Sequence, residues 1–214
     1  MIQQTDKACG AHGLAKNMKR KRSWRCEKLL RSDIYELIES SSLWTEIANV
    51  NTVRLISMAI DRLKVVEGTR FSGKSREAST FQVLLAKLLE LKLPTSVITA
   101  MLCQPYFKYI TLLSAVVIRL TQPHWVIWQL LGPLLNDYRN LIIRVPPCPS
   151  NSIESSGHES FLLDNLIMTL DGQQTYALLN MDVLIFDLLH LTGHYRILDI
   201  HLPHISITPS NLKY

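Results

Sequence analysis

Residues Tyr106-Phe107-Lys108-Tyr109-Ile110-Thr111-Leu112-Leu113-Ser114-Ala115-Val116-Val117-Ile118-Arg119-Leu120 decide the fold. They are apolar on nearly every side of a 3.6-residue period, and a helix of that kind is one surrounded by protein. Pro105 marks its start, so the stretch predicts a central buried helix. It is not a membrane span: Tyr109 to Ile118 is ten residues long before Arg119 interrupts it, and the apolar slab of a bilayer is ~30 Å thick.

Outward from this helix the apolar spacing stays helical. On the N-terminal side, Thr95 or Ser96 is expected to cap a short helix through Cys103. Before it, Ser79 or Thr80 opens a helix carrying Phe81, Leu84, Leu85, Leu88 and Leu89, stopped by Pro94. Glu67 to Ser79 reads as a polar, Gly-containing loop. Asn51 or Thr52 caps a helix whose apolar face steps through Val53, Ile56, Ile60 and Leu63. Leu30, Ile34, Leu37 and Ile38 share one face of the first helix, which Ser40 to Ser42 end; Leu43, Trp44 and Ile47 make a short apolar turn after it. On the C-terminal side Pro123 opens a helix from Trp125 to Leu141, which Pro133 should kink or break. Val145 to Ser160 is a Pro/Ser-rich loop or linker. Asp171-Gly172 between two apolar runs signals a β-hairpin spanning about 162–179. Met181 to Leu191 reads as a last helix, and the chain from Asp199 as extended. The expected fold is all-α, a mostly helical single domain with a small β-hairpin near the C-terminus. It occupies residues 24–206, between a basic arm at 1–23 and a tail at 207–214.

The chain has 214 residues, 47% hydrophobic and 19% charged. Such a composition excludes a disordered chain, which lacks the apolar surface to offset its ordering entropy. Eight Gly and nine Pro exclude a fibrous one. The four cysteines (Cys9, Cys26, Cys103, Cys148) lack paired spacing, which favours free thiols in a reducing compartment. The net charge of +5 is uneven: residues 1–31 hold nine of the 23 Lys and Arg and two of the 18 Asp and Glu. Its centre, Lys19, Arg20, Lys21 and Arg22, is a candidate nuclear address or phosphate contact. A contact of that kind is salt-dependent and blind to base sequence.

Gly68-Thr69-Arg70-Phe71-Ser72-Gly73-Lys74-Ser75 satisfies the phosphate-loop pattern G-x-x-x-x-G-K-[ST]. Val183 to Asp187 resembles the apolar strand and Asp that complete such a site. The context argues against it. The motif needs a buried strand before its first glycine, yet Arg54 to Val66 steps at 3.6, and no β-α-β alternation surrounds either piece. His190, His194, His201 and His204 are near in sequence but lack the Glu or Cys of a zinc site, and Cys9, His12 and Cys26 are as thin. Trp125 and Trp128, at i and i+3, form a core anchor or an interface hot spot. No nucleophile, carboxylate pair or oxyanion motif stands out. The expectation is no catalytic residue, no metal and no cofactor.

Several segments taken in order resemble the pre-mRNA-splicing factor 38 family. Cys26 to Tyr35, followed by Leu43-Trp44-Thr45-Glu46, is similar to its opening helix and W-x-E turn. Phe107-Lys108-Tyr109 with Arg119-Leu120-Thr121 resembles its F-K-Y…R-L-T helix. Gly132-Pro133-Leu134-Leu135-Asn136-Asp137-Tyr138-Arg139 resembles its E-P-L-Y-N-D-Y-R segment, with Gly132 in the place of Glu. Asp199-Ile200-His201-Leu202-Pro203 is similar to its D-I-x-L-P ending. The likeness covers roughly residues 10–206. It implies a non-enzymatic nuclear subunit of the spliceosome that joins with the tri-snRNP and is needed for activation of the assembled particle. Its implied partners are spliceosomal proteins of the tri-snRNP and the pre-catalytic complex, with RNA contact through the arm and no membrane. Asn136, Asp137, Tyr138 and Arg139 are the candidate partner-binding residues. The alternatives are a nucleotide-binding protein using Lys74, Ser75 and Asp187, and a basic RNA-binding module.

Overall fold

The computed structural model describes residues 29–72, 75–145, 166–170 and 174–205. The basic arm, most of the loop at 145–160, the Asp171-Gly172 turn and the tail lie outside these residues, as do Gly73 and Lys74. Helix α1 (Ser32–Ser40) buries Ile34, Tyr35 and Ile38. Ser41 ends it and starts α2 (Ser42–Ile47), its hydroxyl oxygen accepting the Trp44 N–H at 3.2 Å. Asn51 does the same for α3 (Thr52–Arg62), accepting the Arg54 N–H at 2.9 Å. Helix α3 is rotated from its expected orientation: Leu55, Ala59 and Leu63 are buried, while Val53 is 76% exposed and Ile56 and Ile60 are half-buried.

The segment read as a loop after α3 holds an antiparallel hairpin, β1 (Arg70–Ser72) and β2 (Ser75–Glu77), in the register Arg70↔Glu77 and Ser72↔Ser75. Helix α4 (Thr80–Leu91) follows. Ser79 caps it in a reciprocal box: its oxygen accepts the Gln82 N–H at 3.1 Å, and the Gln82 side chain accepts the Ser79 N–H at 3.2 Å. Helix α5 (Thr95–Cys103) has Pro94 at its N-cap without a side-chain bond, in place of the expected Thr95 or Ser96. Helix α6 (Lys108–Thr121) is the expected central helix, buried at every position from Ile110 to Leu120. It packs against α3, α4, α5, α7 (His124–Leu131) and α8 (Met181–His190). A second hub is α4, buried from Phe81 to Leu89 and touching α1, α2, α3 and α6. Each fully buried Leu or Ile there contributes about 1.5–3 kcal/mol.

The helix expected over Trp125–Leu141 ends early. Gly132–Asn136 is a 3-10 turn with Pro133 near its start, and Asn140–Val145 is a strand, β3. Once proline has broken the helix, alternation decides: Leu141 and Ile143 are buried and Ile142 faces outward. Strand β3 pairs antiparallel with β5 (Gln174–Asn180), whose other edge carries β4 (Leu166–Leu170), in the order β3-β5-β4. The pair β4 and β5 is the expected hairpin; its partner β3 was not expected. Val66 joins the sheet as a parallel bridge to Ile143, donating to the Ile142 carbonyl at 2.8 Å. The extended C-terminal stretch is strand β7 (Ile200–Leu202), paired with β6 (Gly193–Tyr195). The fold is mostly helical, as expected, with more antiparallel sheet.

Candidate interaction surface

Asn136, Asp137, Tyr138 and Arg139 join the 3-10 turn to β3. Asp137 and Arg139 face each other. Arg139 Nη2 donates to Asp137 Oδ2 at 2.6 Å, and Arg139 Nε and backbone N–H donate to Oδ1 at 2.9 and 3.1 Å. Partial burial pushes the Asp137 carboxyl up, but the Arg139 bonds and charge outweigh it and hold it below the usual carboxylate range. The pair also ties down its surroundings. Arg139 Nη1 donates to the Pro105 carbonyl at 2.8 Å and Nη2 to Thr111 Oγ1 at 3.2 Å. The Asp137 and Arg139 carbonyls accept from Asp182 and Met181 N–H, both at 3.0 Å, at the start of α8. Asn136 and Tyr138 point the other way: Asn136 is exposed and Tyr138 is 66% exposed.

Arg139 thereby brings the 136–139 segment beside the loop that precedes α6. That loop carries Tyr106, 84% exposed, and Phe107, the two rings edge-on with centroids 6.5 Å apart. Gln104 clasps the loop, accepting the Phe107 N–H at 2.6 Å and donating to the Phe107 carbonyl at 2.7 Å and to Thr111 Oγ1 at 2.9 Å. Tyr109 accepts the Ile142 N–H at 3.2 Å, and Lys108 donates to the Asn140 carbonyl. Tyr106, Phe107, Tyr138 and Ile142 thus each meet solvent on a backbone pinned from behind. Bulky aromatic groups held in this way suit the anchor positions of a protein interface. Tyr106 and Phe107 were read as part of the central helix and missed as surface; the signal was an aromatic pair directly after Pro105, in a turn.

The phosphate-loop match has another use. Ser75 opens a strand paired antiparallel to the segment before it, where a nucleotide loop would lead into a helix. A Cβ on Gly68 would lie 2.9 Å from the Leu198 carbonyl carbon and 3.0 Å from Asp199 N. Gly68 therefore allows two backbones to cross in contact. The crossing is laced by polar bonds: Thr69 Oγ1 donates to Asp199 Oδ2 at 2.6 Å, and Gln82 Nε2 donates to the Leu198 carbonyl at 3.0 Å. Glu67, buried beside it, is bonded by Arg70 and lies 3.4 Å from Arg144. Asp187 sits in α8, buried, accepting from Tyr195 Oη at 3.3 Å. Burial, and then the Asp187 charge, push the Tyr195 phenol well up.

The histidines do not gather at one point. His190 stacks on Phe186 at 4.0 Å and meets Trp128 edge-on at 5.6 Å, whereas His194 lies 3.6 Å from Asp199 Oδ1 and is paired with His201 across β6 and β7. Among the described residues no three His, Cys, Asp or Glu side chains converge on one point. Trp128 packs partly into the core and Trp125 stands in solvent. Arg119 is buried in α6. Its Nε donates to the Leu188 carbonyl at 2.5 Å, and Nη2 donates to those of Leu191 and Pro203 at 3.1 and 2.6 Å. These include the last carbonyls of α8, where a cation is favoured, though burial lowers the guanidinium to about 10. Lys19 to Arg22 lie outside the described residues.

The family model for the PRP38 family matches residues 18–212. Pre-mRNA-splicing factor 38 of Schizosaccharomyces pombe is 36% identical over 118 residues, 55% of this chain and 52% of that protein. Pre-mRNA-splicing factor 38A of Mus musculus is 27% identical over 179 residues, 84% of this chain and 46% of that protein. The chain spans about half the length of these relatives. Among solved structures, the Snu23-Prp38-MFAP1(217-258) complex of Chaetomium thermophilum contains a chain of similar fold, with TM-score 0.64 and 24% identity, covering 86% of this chain and 79% of that one. The family match takes in every described element, from α1 to β7, and the chain belongs to the PRP38 family.

Proposed function

We propose that this chain is a non-enzymatic interaction subunit of the spliceosome, acting in the nucleus in pre-mRNA splicing. It joins with the tri-snRNP and serves the step that converts the assembled particle to its activated form. The observation that carries the reading is a set of exposed aromatic groups: Tyr106, Phe107 and Tyr138 stand in solvent on segments held by Gln104 and Arg139. A pre-formed surface loses little entropy when a partner docks. The family's membership among pre-mRNA-splicing factors, and the similar fold in a complex with two further proteins, support it. Asn136 and Tyr138 are the proposed contacting groups, with Asp137 and Arg139 positioning them. Lys19 to Arg22 are the proposed nuclear address or phosphate contact.

The test is purification of the full chain from nuclear extract, with and without nuclease. Tri-snRNP and pre-catalytic proteins should follow the bait in both, and a Tyr138→Ala, Tyr106→Ala double variant should recover less than a tenth as much, as expected for lost hot-spot residues. Recovery that disappears with nuclease would replace this reading with an RNA-binding one.

A further inference from the structure

The described chain begins at Leu29, on the edge of a groove of about 200 Å³. The groove lies where α4, α5 and α6 meet. Leu88 of α4, Leu93, Ile98 of α5 and Val117 of α6 give it an apolar wall, and Leu29 lines one side. Leu88, Ile98 and Val117 are buried, whereas Leu29 and Leu93 are half-buried. The wall is thus core surface that the described residues stop short of covering. Thr121 and Gln122 form a polar rim.

Reach and polarity select the occupant. Of the ten residues before Leu29, Lys19 to Lys28, one carries a bulky apolar side chain, Trp24. Five residues of chain span at most about 17 Å, so Trp24 cannot leave the neighbourhood of the groove, and its local concentration there is on the order of mM. Five residues is also the spacing at which an apolar pair brackets the start of a helix. A side chain from another molecule would lose translational freedom on entering; Trp24 has already given it up. The indole has one N–H donor and no acceptor, and a buried Trp usually finds a partner for it. Gln122 Nε2 donates to Thr121 Oγ1 at 3.3 Å, and among the described residues nothing donates to Gln122 Oε1. The rim therefore offers the acceptor that an indole needs.

We propose that Trp24 seats in this groove, its ring against Leu29, Leu93 and Val117 and its N–H bonded to Gln122 Oε1. The segment ahead of α1 is thereby clasped to the corner of α4 and α6. Arg22 is two residues from Trp24, so the seat fixes where the Lys19 to Arg22 cluster leaves the body, on the side that carries the exposed Lys92. The inference goes beyond the interaction-subunit reading and does not depend on it.

The test uses the full chain carrying p-benzoylphenylalanine at position 24. On irradiation it should cross-link within one chain, to peptides containing residues 88–98 or 117–122. Cross-links to other regions, cross-links between copies, or none at all overturn the proposal. Limited trypsin digestion of the wild-type chain reads the same contact. The bond after Arg25 should be cut at least about tenfold more slowly than those after Lys19 and Arg20, because cleavage there must wait for local opening. Trp24→Ala should remove most of that protection, and Trp24→Phe, which keeps a ring in the groove, should retain part of it. Equal cutting rates in the wild type, or protection unchanged in Trp24→Ala, would refute the clasp. If Trp24→Ala does not fold, the cross-link and the wild-type digest still decide.

Discussion

Asp137 owes its low proton affinity to a single neighbour, and its charge is therefore a stability term that pH controls. The folded carboxyl titrates below its ordinary value, while the unfolded one titrates near ~3.9. The unfolded chain binds the proton more readily, so the stabilisation is complete above about pH 4 and fades as pH falls through the folded-state value. Asp137→Asn should cost about 1–3 kcal/mol at pH 7. In urea titrations the difference from wild type should shrink steadily below pH 4; a gap unchanged at pH 3 would show that the charge is not its source. The types of these residues were legible in the sequence, and their roles were not. Asp137 and Arg139 are close in sequence, but Arg139 also grips Pro105, 34 residues away. Arg119 is harder still: its acceptors lie 69, 72 and 84 residues further along the chain, and no periodicity encodes a carbonyl at that distance.

At the scale of elements, period and capping were readable wherever one helix met one core. Ser79 and Asn51 cap as expected, and α4, α6 and α8 lie close to their predicted spans. The misreadings share a cause, which is apolar spacing that suits two structures. Leu141 and Ile143 continue the spacing of α7 but also alternate, and pairing with β5 decides for the strand. Val53 belongs to a stripe that looks like a core face, whereas α3 turns Leu55 and Ala59 inward. The 67–79 segment folds as a hairpin whose polar groups are met from outside by Asp199, which accepts from Thr69 and lies 3.7 Å from Arg76. Gly68→Ala tests that crossing. Its methyl would meet backbone at 2.9–3.0 Å, which no side-chain rotation relieves, so the two segments must separate. The expected loss is about 1–3 kcal/mol, read as a lower urea midpoint; an unchanged midpoint would mean the crossing is looser than the distances indicate.

The whole molecule is held closed by its C-terminal stretch. Ile200, Leu202 and Ile205 are buried, Pro203 bonds Arg119, and Asp199 lies 3.7 Å from Arg76 on β2 and 3.9 Å from Arg31 before α1. A chain ending at Asp199 loses three buried aliphatic groups, about 1.5–3 kcal/mol each, from a total of about 5–15 kcal/mol. It should show no cooperative thermal transition by circular dichroism; a sharp transition near that of the full chain would refute the closure. The same closure has a consequence during protein synthesis. The guanidinium of α6 finds its last acceptor only after roughly 80 more residues have been made, a delay of roughly 4–16 s at ordinary translation rates. For that interval the central buried helix of the fold leaves the ribosome without its lid, and a nascent-chain chaperone is the natural shelter for it.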